Sequence, residues 1–242
     1  MSLPIAMANA YSPTWFDTFL LGASPVSTGD EIDFLTRNLP LRDYRLVLDL
    51  CCGTGRHSLA MADFGYIMTG LDASSYALET ARKHDIGGKI EFVQGDMRDL
   101  SPLRGQFDVV LNLWQSLGYF NEEENKEVLR QICAKLRQGG RFVLDIYNRD
   151  FFKANQGTRV LESGSRRVVE TKYMTGDRLT VHLDYGPSAQ HDTYEWQLYT
   201  PDDICAVSEK IGFRTVITCS DFDERKPHTT STPRMQFVFE KG

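Results

Sequence analysis

Apolar positions recur along residues 45–146 in two alternating rhythms. Short runs rich in β-branched and aliphatic residues, RLVLDL (45–50), YIMTGLD (66–72), KIEFVQ (89–94), FDVVLNL (107–113) and RFVLDI (141–146), predict strands one to five. Between them, helical spacing is found over residues 56–64, 74–84 and 122–137. In the last of these, Val128, Leu129, Ile132, Cys133 and Leu136 recur at helical intervals, and Gly139-Gly140 supplies a stop signal. Such alternation is the signature of repeated βαβ units around a parallel sheet.

The flanks follow other rules. Two helices are expected ahead of the core, near residues 12–21 and 30–39, with Tyr11, Trp15, Phe16 and Phe19 suited to a lid packed on it. After strand five the helical period vanishes for about fifty residues. RVLES, RRVVETKYM, RLTVHLDYG and TYEWQLYT read instead as antiparallel strands joined by turns at Gly164, Gly176-Asp177 and Gly186-Pro187. Thr200-Pro201-Asp202-Asp203 then opens a helix with a cap, an early proline and acids at its positive end. That helix is expected to end near Ile211-Gly212, and FRTVITC and MQFVFEK make two final strands around a polar surface loop at 221–233. The domain scheme is therefore a helical lid over 1–44, an α/β domain over 45–150 and 201–242, and an antiparallel insertion over 151–200.

Composition narrows the function. A chain of 242 residues can bury a sizeable core without disulfides or structural metals. Lysine plus arginine number 27 against 33 aspartate plus glutamate, a formal charge of −6, which argues against a nucleic-acid partner. Dense basic clusters are confined to Arg166-Arg167 and Arg225-Lys226. The cysteines at 51, 52, 133, 205 and 219 make no C-x-x-C pair, and adjacent Cys51 and Cys52 are poorly placed to share a tetrahedral metal, so reduced thiols and no metal are expected. No run approaches the roughly 18 apolar residues of a membrane span, and MSLPIAMANA lacks the charged start of a secretory signal, so a cytoplasmic chain with no membrane partner is expected.

The chemistry concentrates after strand one. In LDLCCGTGRHS an acid, Asp49, precedes a G-x-G turn, Gly53 and Gly55, that opens a helix. Glycines allow a tight turn and close ligand approach, and the helix start attracts negative charge. Strand two ends in Asp72, where a carboxylate can accept ribose hydroxyls. A dinucleotide fingerprint would put a third glycine at position 58, which is serine. A ligand without a pyrophosphate fits better: its ammonium can pair with Asp49 while its carboxylate faces the helix start and Arg56.

VLDLCCGTG resembles motif I of class I S-adenosylmethionine-dependent methyltransferases, and GLDAS (70–74), which includes Ala73, resembles their second motif. QGDMRDL (94–100) is similar to the segment after strand three, which implies that Asp96 meets the adenine amino group and Met97 packs on the ring. FDVVLNLWQSLGYF resembles strand four and its loop, so Asn112 and Leu113 are implied cofactor contacts, and Trp114, Ser116 and Tyr119 are implied neighbours of the acceptor. LRQGGRFVLDIYN, YTPDDICAVSEKIGF and PRMQFVFEK also look like late segments of the family, in particular of its bacterial small-molecule branch with a β insertion after strand five.

The resemblance implies a doubly wound α/β fold, a seven-stranded, mostly parallel Rossmann-like sheet with its last strand antiparallel, and S-adenosyl-L-methionine as cofactor. Asn112-Leu113-Trp114-Gln115 departs from the Asn/Asp-Pro-Pro-Tyr/Phe pattern of enzymes that methylate nucleic-acid amines, which favours a small-molecule acceptor. In-line methyl transfer needs alignment first and a base only for some acceptors. The candidate bases are His57, Tyr119 and Tyr147, with His182, His191 and Glu195 in the insertion. Packing roles compete: His57 can cap its helix, Trp114 and Tyr119 can fill the core, and Trp196 and Tyr199 suit a sheet face. An NAD(P)-dependent oxidoreductase and a noncatalytic S-adenosylmethionine-binding module are the rival readings. Exposed insertion strands could pair in a homodimer.

Overall fold

The computed structural model describes residues 11–20, 25–163, 166–186 and 191–242. The expected turns at Gly164 and Pro187 lie outside them. Among the described residues the strands form two sheets. The larger contains β1 (Leu46–Leu50), β2 (Ile67–Asp72), β3 (Glu91–Gln94), β4 (Phe107–Asn112), β5 (Leu136–Tyr147), β10 (Phe213–Cys219) and β11 (Arg234–Lys241), in the order β10-β11-β5-β4-β1-β2-β3. β1 to β5 pair in parallel, and β11 runs antiparallel to both β5 and β10. The strand order reverses between β1 and β4, which opens a crevice at their C-terminal ends. The smaller sheet, β6 (Gly157–Ser163), β7 (Arg166–Thr175), β8 (Arg178–Asp184) and β9 (His191–Gln197), is an antiparallel meander.

The helices carry their own start signals. Ahead of β1 lie a short α1 (Pro13–Trp15), continued by a π-helical turn over Phe16–Leu20, and α2 (Pro25–Asn38), which begins earlier than its apolar pattern implied. α3 (Arg56–Asp63) starts at Gly55, held at φ +79. α4 (Ser75–His84) is capped by Ser74, whose hydroxyl accepts from the Ala77 amide. α5 (Glu122–Lys135) is capped by Asn121 and carries three glutamates in its first turn, at the positive end of the helix dipole. α6 (Arg149–Ala154) follows β5, and α7 (Pro201–Ile211) has a full capping box between Thr200 and Asp203.

Two local expectations change. α5 stops at Lys135, before the glycines, and Leu136 already pairs with Phe107. Gly140 serves the strand instead, because a Cβ there would lie 3.0 Å from the Asp108 carbonyl and 2.9 Å from that of Arg137. The loop at 221–233 is polar, but Phe222 is buried at φ +55 and packs edge-on against Phe34 of α2 at 5.5 Å.

Apolar packing divides into three clusters. One joins Leu48, Leu50, Val110 and Phe142 of the sheet to Val128, Leu129 and Ile132 of α5; a second, on the other face, joins Val47, Val109 and Val143 to Phe34 and Leu35 of α2 and Met61 of α3. The third is the underside of the small sheet, Leu179, Val181, Tyr194 and Trp196, with Tyr11, Trp15 and Phe19 packed on it. The two N-terminal helices thus lean on different bodies, α1 on the insertion and α2 on the large sheet. Gly118 joins insertion to core: it lies at φ +109, accepts the Gln197 amide at 2.7 Å, and leaves no room for a Cβ against the Gln197 carbonyl. No helix among the described residues is long and apolar enough to cross a membrane.

Candidate active site

The turn after β1 is built from main chain and one carboxylate. The Cys51 and Cys52 amides both donate to the Leu71 carbonyl, at 2.7 and 3.0 Å, and Cys51 adopts φ +65, an uncommon state for a residue with a Cβ. Asp72, at the end of β2, accepts the Gly53 amide on Oδ2 and the Ser74 amide on Oδ1, each at 2.8 Å. Gly70 lets β2 approach this turn, since a Cβ there would lie 2.8 Å from Phe92 Cδ1 and 2.9 Å from Cys52 Sγ.

A cavity of about 490 Å³ opens above this turn. Asp49, Gly53, Arg56, His57, Asp72, Ala73, Asp96, Met97, Leu113, Trp114, Ser116 and Tyr119 all line it. Gly55, Asn112 and Tyr147 do not. Gly55 works behind the wall, where a Cβ would meet Ala81 Cβ at 3.0 Å. Asn112 points back into the sheet, donating from Nδ2 to the Leu50 carbonyl at 3.1 Å, so it ties β4 to β1. Tyr147 packs at a tilt against Phe152, with ring centroids 4.8 Å apart. The insertion candidates also lie off the wall: His182 bonds Thr193 and Tyr173, exposed His191 lies 3.5 Å from Asp184, and Glu195 lies 3.7 Å from Arg178.

The charged groups inside are ordered by their neighbours. Asp49 is buried and accepts the Ser58 hydroxyl at 2.6 Å, which gives the serine at the third glycine position a physical job. Burial pushes the Asp49 carboxyl up; His57, Ser58 and Arg56 oppose it without cancelling it. Burial likewise raises Asp72 against the amide bonds it accepts. Asp96 is paired with Arg98, whose Nη2 lies 2.6 Å from Oδ2. Arg56 donates from Nη1 to Thr28 Oγ1 and Glu31 Oε2, both at 2.6 Å, while its Nη2 is buried with no hydrogen-bond partner among the described residues.

Another wall of the cavity is aromatic. Trp114 and Gln115 both hold positive φ, at +59 and +61, fixed by Asp145, which takes the Trp114 amide on its carboxylate at 2.9 Å and the Gln115 amide on its carbonyl at 3.1 Å. Asp145 is fully buried and also accepts from Arg234 and Gln236. Tyr119 shares a 2.6 Å hydroxyl contact with Tyr11, and Trp15 and Phe16 complete that wall. Burial lifts the Tyr119 phenol well above its usual range and Tyr147 to about 12, so both keep their protons at neutral pH. His57 gives its Nε2 to Glu31 at 2.8 Å. Neither tyrosine is therefore poised as a base, and His57 has one ring nitrogen committed to Glu31. Glu31, Tyr11 and Arg98 belong to the site's surroundings, yet only Tyr11 carried a sequence signal, as part of the aromatic lid.

Known proteins share the sequence pattern and the fold. Residues 47–140 match the methyltransferase domain family. The cypemycin N-terminal methyltransferase of Streptomyces sp is 35% identical over 201 residues, which covers 78% of this chain and 81% of that protein. A glycine/sarcosine N-methyltransferase from Aphanothece halophytica is 24% identical over 215 residues, 81% of this chain and 77% of that one. Among solved structures, the amino pentose methyltransferase CalS10 from Micromonospora echinaspora, with S-adenosylmethionine bound, superposes with a TM-score of 0.72 at 20% identity, covering 97% of this chain and 99% of that one.

Proposed function

Because the chain belongs to the class I S-adenosylmethionine-dependent methyltransferases, we propose that this cavity holds S-adenosylmethionine at the β1/β4 crevice and methylates the amine nitrogen of a small molecule. The observation that carries the assignment of the cofactor pose is the bare Nη2 of Arg56, a buried guanidinium nitrogen with no hydrogen-bond partner among the described residues, on a side chain that lines the same cavity as Asp49. An α-amino acid group complements that pair, ammonium to Asp49 and carboxylate to Arg56. Asp72 takes the ribose hydroxyls, Asp96 and Met97 take the adenine, and Gly53 leaves the main chain open to close approach. When bound, the sulfonium supplies a methyl group already activated for displacement.

The protein's remaining task is alignment and exclusion of water. Leu113, Trp114, Ser116 and Tyr119 bound the acceptor side, with Tyr11 over it. Aromatic faces favour a cationic or amine-bearing guest, and the named relatives that methylate amines or an N-terminus agree. A neutral amine carries its own lone pair, so a protein base is not required, consistent with phenols that stay protonated. With a formal charge of −6, the chain favours such a guest over a nucleic acid. Calorimetry with S-adenosylhomocysteine tests the pose: Asp72→Asn should weaken binding about tenfold or more, and an unchanged affinity would remove Asp72 from the site. A labelled-methyl assay over paired amine and hydroxyl compounds tests the acceptor class, with label in hydroxyl compounds alone as the contrary result.

A further inference from the structure

Glu31 lies on α2, outside every recognised motif, and is 4% exposed. Its Oε2 accepts Arg56 Nη1 at 2.6 Å and meets His57 Nε2 at 2.8 Å, and its Oε1 accepts Trp114 Nε1 at 2.9 Å. Arg56 and His57 belong to the first turn after the glycine loop, whereas Trp114 belongs to the loop after β4. One carboxylate therefore joins the N-terminal helix to both the cofactor side and the acceptor side. Thr28, a turn earlier on α2, takes a second bond from the same Nη1.

These bonds decide how Arg56 is presented. With Nη1 committed to α2 and the guanidinium 4.7 Å from the Trp114 ring centroid, the edge left over is Nη2. Asp49 is a second carboxylate on the wall of the same cavity as Arg56 and His57. Were Arg56 released from Glu31, it would turn to Asp49, and the two groups meant for opposite ends of an amino acid would neutralise each other. We propose that Glu31 is a positioning residue that keeps Arg56 apart from Asp49, so that cation and anion stay available to the carboxylate and ammonium of the cofactor. The inference rests on the cofactor pose given above and adds a residue to it.

Two ligands separate positioning from mere stability. S-adenosylhomocysteine carries the amino acid, and 5′-methylthioadenosine has the same nucleoside without it. In the full-length chain, Glu31→Gln should weaken S-adenosylhomocysteine about tenfold or more while leaving 5′-methylthioadenosine within about twofold, since the lost interactions are charge-assisted and confined to one end. Glu31→Asp, which keeps the charge on a shorter arm, should recover part of the difference. Equal losses for both ligands, or no loss for either, would overturn the proposal. A wild-type chain that binds neither ligand would instead overturn the cofactor pose itself, and this role with it.

Discussion

Two buried acids that share Arg56 as a charged neighbour behave in opposite ways. Asp49 is raised by burial, so its ionised form works against folding at neutral pH, and that cost disappears as the pH falls. In the proposed pose the cofactor's ammonium requires that ionised form, with Ser58, His57 and Arg56 as the groups facing it. S-adenosylhomocysteine affinity should therefore decline on the acid side at a pH above the ordinary carboxylate range, and Asp49→Asn should abolish the decline; a wild-type decline confined to the ordinary carboxylate range would contradict this. For Glu31 burial also acts upward, but His57, Arg56 and Trp114 outweigh it and bring the group from 4.5 to about 2. Its contribution to stability is complete above about pH 4.5 and is lost as the pH falls toward 2. Thermal unfolding of Glu31→Gln should accordingly lose part of the wild-type dependence across that interval. Asp49, Gly53 and Asp72 were legible because a strand, a turn and a second strand fix their relation within one short segment. Glu31 was not, because its partners stand 25, 26 and 83 positions away. Asn112 shows a subtler limit: adjacent strand residues face opposite sides, so a motif can name the segment and miss which neighbour meets the ligand.

Elements whose ends were marked by chemistry were read closely, and those marked only by composition were not. Thr200 and Asp203 specify the start of α7, and Gly212 at φ +112 specifies its end. The glycine pair after α5 looked like another such stop, yet the chain extends at Leu136 because that side chain is buried under the sheet and the glycines admit neighbouring carbonyls. Tertiary packing overrode a local signal there. Gly118 carries the opposite lesson, since nothing in its surroundings announced that β9 would press on it. Gly118→Ala must strain a left-handed residue and push the Gln197 carbonyl away. A loss of about 1–3 kcal/mol is expected, read as a lowered Tm together with weaker acceptor turnover. An unchanged Tm would mean that the insertion is not anchored there.

At the scale of the molecule, the cavity lies where the N-terminal segment packed on the small sheet, Tyr11, Trp15 and Phe16, meets the loops after β1, β2, β3 and β4, while α2 stands behind the wall and reaches it through the bonds of Glu31 to Arg56 and Trp114. The alternating β and α rhythm disclosed the large sheet, and a change of period disclosed the insertion. The partnership between α1 and the insertion stayed hidden, because the contact of Tyr11 with Tyr194, 4.6 Å between ring centroids, joins residues at nearly opposite ends of the chain. The chain's three tryptophans gather around this junction: Trp15 and Trp114 on the cavity wall and Trp196 with its ring 6.0 Å from that of Tyr119. Trp114 also has the guanidiniums of Arg56 and Arg234 at 4.7 and 4.9 Å. Indole emission responds to nearby charge, so a carboxylate settling on Arg56 should change the colour and brightness of the protein's own fluorescence. The molecule thereby carries an internal optical gauge, and ligand arrival can be followed in unlabelled enzyme by light alone.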